Sequence, residues 1–171
     1  MEPRDLGLKI IQIKPALTLR IGLSLHAKAY DPLGLVLPTR MIGNILFRKS
    51  LQRLRRKKKG KVNWDEKIED EDLQQEWFSY LDMLTQLEHV RFKRSVKPSN
   101  CKEDIKPDLV TFCDGNPNAF GVTAYVLWEL QDGKKESSLL MSKAKLGLLL
   151  DLGEVVRNEL SGATYASILK T

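Results

Sequence analysis

The spacing of apolar positions changes twice along the chain. Leu8 to Ile13 (LKIIQI) is a short β-branched run that reads as a strand ended by Pro15. Thr18 to Tyr30 reads as a helix that stops before Pro32, because a proline pushes the preceding Asp31 out of the α region. DPLG at 31–34 is a turn signal. From Pro38, the residues Met41, Ile42, Ile45, Leu46, Leu51 and Leu54 recur near the 3.6-residue period. They predict a helix of about five turns, with Gly60 as its natural stop. Leu73, Trp77, Leu81, Leu84 and Glu88 share one face, with Phe78 and Tyr80 beside it, which predicts an amphipathic helix over 69–87. Val90, Phe92 and Arg94 then alternate with polar partners as a short strand.

Residues 95–107 carry two prolines and no apolar period, as a linker does. Beyond them the period becomes two. Leu109–Cys113, Phe120–Leu130 and Ser137–Lys143 are three predicted strands, joined by DGNPN at 114–118 and by the Asp-Gly turn in QDGKK at 131–135. The last segment predicts a helix in which Asp151 and Glu154 form a capping box. Val156, Leu160, Ala163 and Ser167 lie on one of its faces, and Val155, Glu159, Gly162 and Ala166 on the next.

Composition narrows this picture without redirecting it. The 171 residues, 42% hydrophobic and 29% charged, are enough for one domain or two small units and argue against disorder. No apolar run reaches the roughly 18 residues of a membrane helix. The charged start MEPRDLGLK does not resemble a signal peptide, and two cysteines, Cys101 and Cys113, are expected to stay reduced. The expected compartment is cytoplasm or nucleus.

The net charge of +6 is unevenly spread. Arg48, Lys49, Arg53, Arg55, Arg56, Lys57, Lys58, Lys59 and Lys61 form a block without an acid, followed by Asp65, Glu66, Glu69, Asp70, Glu71, Asp72 and Glu76. The basic block is a candidate phosphate-binding surface. It equally suits a solvated helix end whose cations offset the macrodipole. The acidic block suits a helix N-terminus for the same reason.

Most catalytic signatures are missing. His26, His89 and the two cysteines have no zinc-like spacing. There is no phosphate-binding glycine loop, no GxSxG, and no defensible Cys–His pair. Asp114-Gly115 lacks the Asp-Thr/Ser-Gly order of an aspartic peptidase. Two acids remain: Asp114 at the end of the first strand of the meander, and Glu159 about two turns into the helix that follows the third. Strand–strand–strand–helix order brings such carboxylates near one another, where they suit a hard divalent cation. The simpler alternative is an Asx turn at Asp114 and one more exposed helix glutamate at Glu159.

These residues resemble the polyproteins of BEL/Pao-type long-terminal-repeat retrotransposons, in the segment often labelled the Pao retrotransposon peptidase family, between reverse transcriptase and ribonuclease H. The resemblance runs over about 18–171. It starts at Thr18-Leu19-Arg20 and Leu23-Ser24, and takes in Ala27 and Tyr30-Asp31-Pro32-Leu33-Gly34-Leu35 with Pro38. Trp64-Asp65-Glu66, Trp77, Leu84 and Arg94 follow. The later part is Phe112-Cys113-Asp114-Gly115 with Ala119, Gly121, Ala124 and Tyr125, then Ser142 to Leu146 and Arg157-Asn158-Glu159-Leu160. Three places depart from the family pattern, one of them Gly147-Leu148, which lacks the family's usual proline nearby. Gly115-Asn116-Pro117 stands where the family has alanine or serine and a small residue, and Val156-Arg157-Asn158 stands where it favours Pro-Arg-Leu.

The resemblance implies an α+β fold: a lead at 1–17, a helical connection region at 18–94, a linker at 95–106, and an incomplete ribonuclease H-like meander plus helix at 107–171. It implies a parent activity of two-metal hydrolysis of the RNA strand in RNA–DNA hybrids, with Mg²⁺ held by Asp114 and Glu159 as catalytic and metal-binding residues. The expected partner is an RNA–DNA hybrid or other nucleic acid, tracked by the 48–61 block, and no membrane. The chain alone is expected to be inactive and to self-associate through the open edge of the first meander strand. The alternatives are a non-enzymatic basic nucleic-acid-binding module and, as the family label implies, an aspartic peptidase.

Overall fold

Thr18 opens the first helix: its hydroxyl accepts the Ile21 amide at 3.2 Å, and α1 runs Leu19–Lys28. The computed structural model describes residues 17–57, 61–102, 105–147 and 155–168, with 57, 155 and 156 in backbone only. The 8–13 strand and the 151–154 capping box lie outside the described residues. α2 spans Leu37–Lys57, α3 Glu71–Gln86, and a single 3-10 turn Leu87–His89 follows. Asp70 caps α3 by accepting the Leu73 amide at 3.0 Å, and Glu71 and Asp72 occupy its first turn, which is the dipole arrangement expected of the acidic block.

The chain divides into two compact units. One comprises the described residues of 4–30 and 38–91; the other comprises 31–37 and the described residues of 92–171. In the helical unit the apolar face of α3 forms the centre: Leu73, Trp77, Tyr80, Leu81 and Leu84 are buried, with Leu19, Leu25, Met41, Leu46 and Ile68. Two buried polar contacts specify this packing. The Trp77 indole N–H donates to the Ser50 hydroxyl at 2.9 Å, which donates to the Leu46 carbonyl at 2.8 Å. His26 Nδ1 and the Tyr80 hydroxyl are 2.6 Å apart. Phe78 points away from the core and is exposed.

The second unit is a three-stranded antiparallel sheet in the order β1-β2-β3, with α4 packed on it. β1 is Asp108–Gly115, β2 Ala119–Glu129 and β3 Lys135–Leu146, and α4 runs Val155–Ile168. Among the described residues, four helices and an open antiparallel sheet make the α+β architecture that the sequence implies. Both turns form where turn residues stand, the second with Gly133 at φ 80°. A bulge at Leu140 shifts the β2–β3 register between Ala124 and Tyr125.

Residues 90–94 are not a strand. Their alternation finds no partner for a ladder among the described residues, and alternation without a partner is only extended chain. The DPLG turn belongs to the sheet unit. Asp31 is buried, and its carboxylate accepts the Leu35 and Val36 amides at 2.8 and 2.9 Å. The Leu33 carbonyl accepts the Ser142 amide of β3 at 2.7 Å. Thus the turn covers part of β3's outer edge, while β1's outer edge pairs with nothing among the described residues.

Candidate functional site

Asp114 is the seventh residue of β1 and is exposed, with Oδ1 accepting the Gly115 amide at 2.8 Å. Glu159 is in the second turn of α4 and is also exposed. Three anchors hold α4 on the sheet, spaced to fall on one helix face. Tyr165 packs edge-on against Phe120 of β2, with the Lys145 ammonium 4.5 Å from its ring centre. At Gly162, an added Cβ would lie 3.4 Å from the Asp114 carbonyl oxygen and 3.5 Å from the Cys113 Cβ. At Asn158, the side-chain amide donates to the Asn116 carbonyl at 2.6 Å.

Gly115 lies directly against the Asn158–Glu159 peptide. A Cβ on Gly115 would lie 2.7 Å from both the Asn158 carbonyl carbon and the Glu159 amide nitrogen. Glycine is therefore required here by contact. The consequence is that Asp114 and Glu159 are each bonded directly to a residue of that contact. The β1–β2 tip carrying Asp114 is itself rigidly built. The Asn116 side chain accepts the Asn118 and Ala119 amides at 2.9 and 3.0 Å, and the Asn116 amide donates to the Ala119 carbonyl at 2.8 Å.

Residues 18–171 match the family described as the Pao retrotransposon-like RNaseH-like domain. The chain belongs to that family. No curated protein and no solved structure matches the chain. Membership makes this Pao-type chain a retrotransposon ribonuclease H-like region.

Two exposed carboxylates fit a hard divalent cation that keeps several waters and shares a phosphate. Among the described residues no group of three or more His, Cys, Asp or Glu could hold a metal ion, so a full two-metal ligand set is not assembled from them.

The basic block is divided by its surroundings. Lys49 is paired with Glu76, and Arg53 with Asp70 at 2.5 Å. The Leu73 amide and the Arg53 guanidinium hold the Asp70 carboxyl below its ordinary range. A groove of about 740 Å³ beside Arg53 and Arg56 is lined as well by Glu66, Glu69 and Asp70, so its potential is mixed. Arg55, Arg56 and Lys61 are exposed, and Arg48 is half-buried. Lys58 and Lys59 lie outside the described residues, and Lys57 is described in backbone only. No helix among the described residues is long and apolar enough to cross a membrane.

Sequence reasoning missed Asn158. It is buried, directly precedes Glu159, and falls on the α4 face that meets the sheet. Its signal was present: an amide at a helical position three to four residues before Ser161 and Gly162.

Proposed function

We propose that this Pao-family chain carries the connection and ribonuclease H-like segments of a retrotransposon polyprotein, with Asp114 and Glu159 binding a divalent cation, Mg²⁺ in the cell, against the RNA strand of an RNA–DNA hybrid. The observation that supports this reading is the contact of Gly115 with the Asn158–Glu159 peptide, which sets the main chain next to Asp114 against the main chain of Glu159. A bound cation would supply charge stabilisation at the scissile phosphate and a more acidic water. The protein's own part is to present two carboxylates from a fixed strand end and a docked helix, and to attract the duplex with Arg55, Arg56 and Lys61. Among the described residues two carboxylates are fewer than a two-metal reaction uses, and we expect the chain by itself to bind hybrid and to cleave it slowly or not at all.

Mn²⁺ titration followed by spin resonance tests the site. Asp114→Asn and Glu159→Gln should each abolish binding at the tightest site. Binding unchanged in both variants would refute the assignment, and an RNA–DNA hybrid that binds with no loss of affinity at higher salt would refute the phosphate contacts. The open β1 edge is also where a second chain can pair. Light scattering should show dimers that an Arg or Pro at Thr111 disperses, and a monodisperse monomer at all concentrations would end that reading.

A further inference from the structure

We propose that Asn158 is a positioning residue, whose side-chain amide locks the β1–β2 tip to α4 and thereby fixes Glu159 relative to Asp114. The inference rests on the reading of those two acids as a cation-binding pair. Asn158 is 8% exposed. It meets both the β1–β2 turn and the end of β3, which lie side by side at one end of the sheet. Its Nδ2 donates to the Asn116 carbonyl at 2.6 Å, and Gly147, the residue after β3, lies against it, so that a Cβ there would stand 2.8 Å from the same nitrogen. Gly147 in turn donates its amide to the Asn118 carbonyl at 2.8 Å. One buried amide thus ties the residue beside Glu159 to the turn two residues beyond Asp114. The third link is the Gly115 contact with the Asn158–Glu159 peptide, which leaves no slack for a rearranged tip. A buried polar group with a short bond to main chain specifies one arrangement, since breaking it strands a donor and an acceptor.

The informative substitution is Asn158→Asp. It keeps the shape of the side chain and replaces the donor by an acceptor facing the Asn116 carbonyl. It also adds a negative charge next to Glu159, which by Coulomb attraction alone tightens cation binding. Positioning and charge therefore predict opposite signs. Titrated with Mn²⁺ as the full chain, Asn158→Asp should bind several-fold more weakly, because the shift of the β1–β2 tip against α4 misplaces the two acids. Asn158→Ala should weaken binding in the same direction. Should the alanine variant fail to fold, the aspartate variant carries the test.

A covalent rescue separates positioning from general damage. The Cys113 Cβ and a Cβ at Gly162 are 3.5 Å apart, within the range of about 3.5–4.5 Å that a disulfide spans. In Gly162→Cys with Cys101→Ser, oxidation should link α4 to β1 and restore most of the Mn²⁺ affinity that Asn158→Asp removes; reduction should abolish the rescue. Affinity that is unchanged or higher in Asn158→Asp overturns the proposal. So does a weakening that the disulfide, once formed, does not relieve. If Asp114→Asn leaves Mn²⁺ binding intact, it is the cation reading of the site that fails.

Discussion

Gly34 and Gly133 both have positive φ, at 72° and 80°, yet they meet different surroundings. A Cβ at Gly133 would find nothing within 4 Å, whereas one at Gly34 would lie 2.0 Å from the Ser142 carbonyl oxygen and 2.7 Å from its carbonyl carbon. The pair therefore separates backbone strain from collision inside one unit of the chain. Gly133→Ala carries only the left-handed penalty, about 1–2 kcal/mol. Gly34→Ala carries the same penalty and cannot keep the turn against β3. The Leu33–Ser142 bond, worth roughly 0.5–1.5 kcal/mol net, is broken, and the Asp31 cage around the Leu35 and Val36 amides is pulled with it. A total on the order of 2–4 kcal/mol follows from these effects. Asparagine sharpens the contrast, because it tolerates left-handed φ but still has a Cβ. Gly133→Asn should be close to neutral and Gly34→Asn should be as damaging as Gly34→Ala. Urea unfolding gives the free energies, and hydrogen exchange at β2 and β3 amides assigns the destabilisation to the sheet unit. Equal effects of alanine at the two positions would refute the docking of DPLG on β3.

In the helical unit, Trp77→Ala should destabilise by about 3–5 kcal/mol, as for other buried large-to-small changes. Trp77→Phe should cost about 1 kcal/mol because the bond to Ser50 is gone, and a Trp77→Phe variant as stable as the parent in urea unfolding would deny the indole N–H its role. His26 has its pKa lowered below the ordinary 6.5, first by burial and then by Arg40 nearby. A lowered folded value means stability that is full above about pH 6.5 and falls as pH drops towards the folded pKa, because the unfolded chain takes up the proton first. The urea midpoint should therefore decline between about pH 6.5 and 5, and His26→Asn should flatten that decline; an unchanged slope would exclude His26 as its source. For hybrid binding, neutralising Arg55, Arg56 and Lys61 should reduce the slope of log affinity against log salt by roughly 0.9 for each phosphate that no longer meets a cation. Neutralising Lys49 and Arg53, already paired with Glu76 and Asp70, should reduce it less; the reverse ranking in a salt titration would show that the paired cations face the duplex.

What was legible in the sequence is what depends on near neighbours. The period of Leu73, Trp77 and Leu84 identifies α3 and its buried face, and alternation with two turn signals identifies the meander. Local pattern failed where contact is between backbones. The face of α4 against the sheet is Asn158, Gly162, Tyr165 and Ala166, while Leu160 is 64% exposed. A helix crossing a sheet at glycine distance needs small residues and one donor, so apolarity does not mark its buried side. Long-range pairing was equally hidden. Nothing local says that the basic run on α2 is answered by the acids around α3, or that Leu33 bonds to Ser142 more than a hundred residues on. The same division runs through the candidate site. The placement of Asp114 on a strand and Glu159 on a helix follows from local pattern. What brings the main chain beside Asp114 against that of Glu159, the absence of a side chain at Gly115 and the amide of Asn158, is a property of the gap between two elements, and such a gap leaves only a glycine and an asparagine in the sequence.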